Sequence, residues 1–218
     1  WAKGDGTGGL HATEVGDAVH RVLELVDLAA PAPPAQLEAL VRNWYGDVST
    51  EELERIARAV LAYCSSDLAR RVAELGGAVP ERPFAFELQG VLLTGRLDVL
   101  RLVDGEALVL DYKTNALGSS SPIEIVERDY RLQRVVYALA CLHAGASRVE
   151  VAYQFLERPD DVVSVVYSTE HRELLERELG AELDRIAEGD FRPNPSDYAC
   201  SGCPARDVIC AGPRLAEL

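Results

Sequence analysis

The chain contains no methionine in its 218 residues and no run of 18 apolar residues. Because an initiator methionine is missing, we expect a piece of a longer protein. The lack of a long apolar run predicts no transmembrane helix. The N-terminus also lacks the basic stretch and apolar segment of a signal peptide. These absences predict a domain that works in the cytoplasm, with no membrane partner.

Positive charge is scarce, and the net charge of the chain is −14. Proteins that bind nucleic acid broadly usually present a basic surface, so the overall charge argues against that class. It leaves open a local basic strip, or a longer parent protein that supplies the grip on nucleic acid. Arg128, Arg131 and Arg134 form one such cluster. They either meet phosphates or pair with the many acids.

Cysteines are few and odd in number, at five, and three of them lie near the C-terminus: Cys200, Cys203 and Cys210. With no secretory signal, a disulfide framework is the poorer interpretation. Three thiolates are also too few for an all-cysteine iron–sulfur or zinc site. Cytoplasmic thiols are therefore the expectation.

Hydrophobic residues make up 48% of the chain, as in globular domains, and their spacing predicts a mixed α/β domain. Helical periodicity covers residues 12–27, 36–44, 49–75, 127–144 and 169–188. Strand patterns cover residues 84–88, 91–102, 107–112, 149–155 and 162–167. Between the two sets, residues 118–122 form a polar loop.

The order of these elements predicts one domain over residues 1–218. A capping-box pattern at Ser49 and Glu52 opens the third helix, and Gly76 is expected to end it. We expect three portions within the domain: a helical N-terminal portion (1–78), an α/β core (79–188) and a cysteine-containing loop region (189–218).

A hairpin is predicted where Asp104 and Gly105 separate two β-rich segments. If these two residues form the loop, the register places Asp98 directly opposite Asp111, with their Cβ atoms about 5 Å apart. Lys113 lies two residues beyond Asp111, on the same face of its strand. A one-residue bulge in either strand would shift this register.

Two carboxylates in directly opposite positions repel each other unless a positive charge compensates them. A divalent cation held by Asp98 and Asp111 is the simplest compensation. The alternative is a solvated acidic face with an isolated lysine. An acid pair, a cation and Lys113 would suit hydrolysis of phosphate esters, since the metal activates a water and the lysine stabilises developing charge.

Four short motifs accompany this hairpin, in the order GDAVHRVLE (16–24), VPERPF (79–84), DYKTN (111–115) and YRLQRVVYAL (130–139). Together with Asp98 they resemble the PD-(D/E)XK nuclease superfamily, and within it the RecB- and AddA-type nuclease domains of bacterial helicase–nucleases. The resemblance implies a restriction-endonuclease-like core, in which helices flank a mixed central sheet.

The resemblance also implies a metal site. His20, Asp98 and Asp111 would bind the catalytic Mg²⁺, and the backbone carbonyl of Tyr112 would complete the protein ligands. Mn²⁺ would substitute for Mg²⁺. A helical histidine without this motif is more often an ordinary surface or core residue.

Four further residues receive roles from the resemblance. Lys113 would serve the attacking water and the scissile phosphate, and Glu81 would be an auxiliary acid. Gln133 and Tyr137 lie one turn apart on one helix face, where they would contact the DNA backbone or Lys113. The alternatives are an ordinary exposed acid for Glu81 and simple packing for the Gln133–Tyr137 pair.

As a whole, the resemblance implies a metal-dependent exonuclease domain that cuts single-stranded DNA during double-strand-break repair. A helicase motor in the same parent chain would supply the strand, a second subunit would assist, and the complex would act at the nucleoid. One alternative is a catalytically silent module of the same fold that binds DNA or a partner. Another is a nuclease that acts alone.

Some relatives of this type close the nuclease domain with a [4Fe–4S] cluster, bound by one cysteine ahead of the histidine helix and three near the C-terminus. Cys200, Cys203 and Cys210 resemble the latter three. Residues 1–19 contain no cysteine, so the fourth ligand is missing from its expected place. Cys64 would replace it only if the fold brought it close. Thiols without a cluster remain the expectation.

Overall fold

Five strands form one mixed sheet in the computed structural model, which describes residues 9–28, 33–190, 200, 203–205 and 210. The strands are β1 (Ala78–Leu88), β2 (Val91–Val103), β3 (Glu106–Lys113), β4 (Arg148–Phe155) and β5 (Val163–Ser168). They lie in the order β1-β2-β3-β4-β5. Only the β3–β4 pair is parallel; the other neighbours are antiparallel.

Helices precede the sheet and connect its strands. They are α1 (Ala12–Leu25), α2 (Pro34–Trp44), α3 (Thr50–Cys64), α4 (Asp67–Leu75), α5 (Pro122–Asp129), α6 (Arg131–His143) and α7 (Arg172–Ala187). A 3₁₀ turn, Thr169–His171, leads into α7. The predicted fold class, a mixed central sheet flanked by helices with a helical N-terminal portion, is confirmed. No helix among the described residues is long and apolar enough to span a bilayer.

The helix predicted over residues 49–75 is two helices. Its start is confirmed, since Ser49 Oγ accepts a hydrogen bond from the Glu52 amide at 3.2 Å. The prediction is wrong after Cys64, because Ser66 Oγ accepts from the Ala69 amide at 3.1 Å and opens α4. A serine side chain that caps a new helix competes with continuation of the old one.

The helix predicted over residues 127–144 is also two helices. Pro122, expected in a loop, stands at the first position of α5, where its missing amide hydrogen costs nothing. Tyr130 then leaves the helical conformation, with φ −120° and ψ 5°, and α6 starts at the next residue.

Strand β1 is six residues longer at its start than predicted, because it includes Pro80 and Pro83. Proline cannot donate to a ladder, which argued against a strand over this segment. β1 lies at one edge of the sheet, where strands tolerate proline.

The main hydrophobic core lies between the N-terminal helices and one face of the sheet. Leu108, Leu110 and Tyr112 of β3 are buried in it together with side chains from α1 to α4. Because side chains alternate along a strand, Asp111 and Lys113 point to the opposite face. This alternation separates the apolar core from the charged residues of β3.

The chain divides into two compact units, Trp1–Glu176 and Arg177–Leu218. The first contains the whole sheet and helices α1 to α6. The second begins within α7 and contains the three C-terminal cysteines.

Candidate active site

The predicted β2–β3 hairpin is confirmed. Asp104 and Gly105 form its loop with φ values of 52° and 79°, and Val103 pairs with Glu106. The ladder continues as far as the pair Val99–Leu110. The next position in this register places Asp98 opposite Asp111, where the two strands separate.

The β1–β2 register adds a third acid to the same row of the sheet. Pro80 pairs with Val99 and Arg82 with Leu97, so Glu81 lies opposite Asp98. Glu81 has a φ of 48°, in the left-handed region that non-glycine residues rarely adopt. Such a conformation costs on the order of 1–3 kcal/mol, and strain of this kind clusters at functional sites. Arg96 donates to the Glu81 carboxylate at 3.2 Å.

A possible metal site exists in the part of the chain that the structure describes: His20, Glu81 and Asp98. Each of the three offers a ligand atom, and these atoms lie within 4.8 Å of one another. His20 Nδ1 is 3.4 Å from Asp98 Oδ2, and both side chains are partly exposed. Asp111 is not a member of this group and lies beside it.

A close approach of α1 to the end of β3 brings His20 to the sheet. Gly16 lies one helical turn before His20, and a Cβ atom at Gly16 would lie 3.0 Å from Thr114 Oγ1. Any larger residue would push the helix away from β3. The glycine and histidine of the GDAVHRVLE motif therefore have separate tasks, contact and ligation.

Tyr112 orients both Asp98 and His20. Its amide donates to Asp98 Oδ2 at 2.8 Å. Its buried ring stands edge-on to the His20 ring, with centroids 5.8 Å apart, and to the Tyr63 ring at 4.7 Å. The role of its carbonyl as a metal ligand stays a prediction.

A closed ring of polar contacts joins β3 to α6. Lys113 Nζ lies 2.6 Å from Asp111 Oδ2 and donates to Gln133 Oε1 at 3.1 Å. Gln133 Nε2 donates to the Tyr137 hydroxyl at 2.9 Å, which donates to Asp111 Oδ1 at 3.1 Å. The sequence predicted contacts of Gln133 and Tyr137 with Lys113 or DNA. It did not predict that Tyr137 holds the acid and Gln133 the lysine.

Burial governs the charge state of this ring. Burial raises the pKa of Asp111 to about 6, and the charge of Asp98 adds to the rise, while Lys113 and Tyr137 oppose it. Burial also raises the pKa of Tyr137, with Asp111 contributing, so Tyr137 stays a neutral donor. Asp111 is thus an acid that gains from a nearby cation.

His20 responds mainly to its acidic neighbours. Burial lowers its pKa, but the Asp98 carboxylate, as hydrogen-bond acceptor and charge, acts the other way, as do the charges of Asp111 and Glu81. The net result is a raised pKa. A metal ion at His20 would have to displace this proton.

The donor set fits a hard divalent cation. Carboxylate oxygens suit Mg²⁺ and Mn²⁺, and one imidazole is compatible with the latter especially. Asp111 Oδ2 is buried and accepts no hydrogen bond of good geometry, although Lys113 Nζ lies close to it. Such an oxygen has lone pairs available for a metal.

The arginine cluster near α6 is largely paired with acids. Arg134 is buried and donates to both carboxylate oxygens of Glu127, at 2.6 and 3.1 Å, and to the Tyr167 hydroxyl. Arg128 pairs with Asp129 at 2.8 Å. For these two arginines, the salt-bridge alternative is the one that the structure supports.

All five cysteines are thiols and not disulfides. In the C-terminal unit, Cys200 is half-buried, while Cys203 and Cys210 are exposed. Cys64 lies half-buried in α3, and Cys141 is buried in α6. Among the described residues, the three C-terminal thiols do not form a group with metal-binding geometry.

Comparison with known proteins agrees with the geometry of this site. The family model of the PD-(D/E)XK nuclease superfamily matches residues 4–210. One subunit of an ATP-dependent helicase/nuclease from Bacillus cereus is 26% identical over 155 residues, which are 61% of this chain and 12% of that protein. The corresponding protein from Pelotomaculum thermopropionicum is 28% identical over 170 residues, covering 69% of this chain and 13% of that protein.

The chain therefore spans about one eighth of the length of these curated relatives. Among solved structures, a protein from Eubacterium rectale described as a candidate exonuclease aligns with a TM-score of 0.53. That alignment covers 100% of this chain and 80% of the other, at 13% identity. At this identity the likeness concerns the fold alone.

Proposed function

The chain belongs to the PD-(D/E)XK nuclease superfamily, and we propose that it is the Mg²⁺-dependent exonuclease domain of a bacterial helicase–nuclease. Its substrate is single-stranded DNA, whose phosphodiester bonds it hydrolyses. The observation that carries the proposal is the row of three acids, Glu81, Asp98 and Asp111, with His20 on one side and Lys113 on the other.

In this proposal, His20, Asp98 and Asp111 hold the cation, with the Tyr112 carbonyl as a further ligand and Mn²⁺ as a substitute ion. Bound there, the cation polarises the scissile phosphate and lowers the pKa of a water. Glu81 supplies additional negative charge within ligand distance of His20 and Asp98. Its strained backbone is consistent with a functional position.

Lys113 then acts on the reacting groups. When the Asp111 carboxylate turns to the cation, the ammonium group of Lys113 loses its closest partner. Gln133 still accepts a hydrogen bond from it and keeps it in place. The ammonium group can therefore bind the attacking water and an oxygen of the phosphate, where it stabilises developing negative charge.

Tyr137 and Gln133 support this exchange. The Tyr137 hydroxyl donates to Asp111 Oδ1, which leaves Oδ2 for the cation. Because Tyr137 also accepts from Gln133, one helix face fixes both the acid and the lysine. We assign Gln133 and Tyr137 to positioning of Asp111 and Lys113.

The wider setting follows from the relatives. The ATP-dependent helicase/nuclease proteins that match this chain do so over about one eighth of their length. We propose a parent chain with a helicase motor, which works with a second protein chain in double-strand-break repair at the nucleoid in the cytoplasm. A net charge of −14 is compatible with a motor that delivers the strand.

We keep residues 1–218 as one nuclease domain, with portions 1–78, 79–188 and 189–218. The three C-terminal cysteines supply one thiolate fewer than a [4Fe–4S] cluster needs, so the cluster is left out of the proposal.

A nuclease assay tests the proposal. We expect the wild-type chain with Mg²⁺ to degrade single-stranded DNA, and Asp98→Asn or Asp111→Asn to lower the rate by at least about a hundredfold, since each removes a charge from the metal site. Asp104→Asn is the matched control, because Asp104 lies in the hairpin loop of the same strands. It should leave the rate unchanged. DNA binding without cleavage by the wild type would support the silent module instead.

A further inference from the structure

A second set of contacts surrounds the lysine of the DYKTN motif. Lys113 Nζ lies 3.9 Å from the centroid of the Tyr130 ring and 5.5 Å from that of the Tyr153 ring. The two rings stack on each other with centroids 5.9 Å apart. The lysine side chain is 12% exposed, so the ammonium group meets these rings in a largely desolvated place.

From this geometry we propose that Tyr130 is a positioning residue that acts through Lys113: with Tyr153 it forms an aromatic cage that fixes the ammonium group for the reaction. The face of an aromatic ring attracts a cation through its quadrupole. It does so without a negative charge that would neutralise the lysine. The ammonium group therefore stays available to a phosphate oxygen.

The interruption between α5 and α6 places this ring. Tyr130 is at once the last cap of α5 and the first cap of α6, outside the helical conformation. Its amide donates to Val126 O at 3.1 Å, and its carbonyl accepts from the Arg134 amide at 2.9 Å. A continuous helix, as the periodicity of this segment predicted, would turn residue 130 differently relative to β3.

Side-chain contacts then hold the ring against Lys113. The Tyr130 hydroxyl donates to Asn115 Oδ1 at 3.3 Å, which joins it to the end of the DYKTN motif. The Tyr153 hydroxyl donates to the Tyr130 carbonyl at 3.3 Å. Tyr153 is fully buried, so the wall of the cage behind Tyr130 is rigid.

The cage matters most when metal is bound. Without metal, Asp111 is the closest anion to Lys113. Once the cation draws the Asp111 carboxylate, Gln133 and the rings remain as the anchors of the ammonium group. Loss of the Tyr130 ring should therefore slow the chemical step and leave binding of metal and DNA intact.

The chain contains only two lysines, Lys3 and Lys113, so selective ¹³C-lysine labelling tests the cage directly. We expect one upfield-shifted Cε–Hε signal, which disappears in Lys113→Ala. It should persist in Tyr130→Phe, which keeps the ring, and lose its upfield shift in Tyr130→Leu. The absence of any upfield-shifted signal in the wild type, or an unchanged signal in Tyr130→Leu, would overturn the proposal.

Kinetics provide the second readout, which rests on the proposed nuclease function. Tyr130→Leu should lower kcat by about three- to thirtyfold, the range of a partly desolvated cation–π contact, with KM for DNA unchanged. Tyr130→Phe should restore kcat. Tyr45→Leu is the control, since Tyr45 packs against the N-terminal core. Equal kcat in the leucine and phenylalanine variants would overturn the positioning role. A wild type that does not cut DNA would refute the nuclease function, while the labelling result would still decide whether the cage exists.

Discussion

Asp111 is the residue whose protonation is most sensitive to the state of the site. It is 2% exposed, faces Asp98 across the strands, and contacts Lys113 and Tyr137. Burial and the neighbouring acid together raise its pKa from 3.8 to about 6. A raised pKa means that the folded state holds the proton of Asp111 more tightly than the unfolded state does.

This shift predicts a pH dependence of stability without metal. As the pH rises through the window from about 4 to about 6, the folded protein must ionise Asp111 against its environment and loses stability relative to Asp111→Asn. The difference is at most about 3 kcal/mol, since each pKa unit corresponds to about 1.4 kcal/mol. Urea unfolding with a chelator at several pH values measures it.

Asp104→Asn is again the control, because this acid of the hairpin loop is exposed. Its free energy of unfolding relative to wild type should not change across the same window. A stability difference between wild type and Asp111→Asn that is independent of pH would contradict the raised pKa.

At the scale of elements, the placement of α1 decides whether a histidine can reach the sheet. The approach of this helix to Thr114 leaves no room for a Cβ at Gly16. Alanine normally stabilises a helix relative to glycine by about 0.5–1 kcal/mol. At this position the gain is offset by the contact with Thr114.

Gly16→Ala should therefore lower the affinity for Mn²⁺ by about tenfold, as overpacking of about 1–3 kcal/mol moves His20 away from Asp98. Calorimetry measures the affinity, and thermal unfolding shows whether the fold is intact. The double variant Gly16→Ala with Thr114→Ala should regain most of the affinity. Gly46→Ala, with open space around its Cβ, should change nothing. Full affinity in the single variant would show that the close approach is unimportant.

Element by element, the sequence predicted what depends on local chemistry. The Asp104–Gly105 loop was recognisable because both positions require a positive φ, and the loop in turn determined the register of Asp98 and Asp111. The Ser49 cap was recognisable for the same kind of reason.

The interruptions at Ser66 and Tyr130 were not predictable from periodicity, because apolar spacing continues through both. Ser66 could have been recognised as a second capping residue. Tyr130 could not, since its conformation is tied to contacts with Asn115, Lys113 and Tyr153, which lie elsewhere in the sequence. The strand around Glu81 was hidden by its two prolines.

At the scale of the whole molecule, an acidic chain carries a site that is itself dominated by acids. The residues of the family motifs come from α1, β1, β2, β3 and α6, and the sheet register brings three of the acids into one row. The motif residues were predictable as a set. Their division into a group around His20 and a ring around Asp111 required the fold.

A calorimetric titration with Mn²⁺ at neutral pH tests the central claim, that the row of acids is a divalent metal site. We predict binding by the wild type, a loss of at least about a hundredfold in Asp111→Asn because a ligand charge is removed, and unchanged binding in Asp104→Asn. Equal affinity of all three proteins for Mn²⁺ would contradict the account, because it would mean that the cation binds elsewhere.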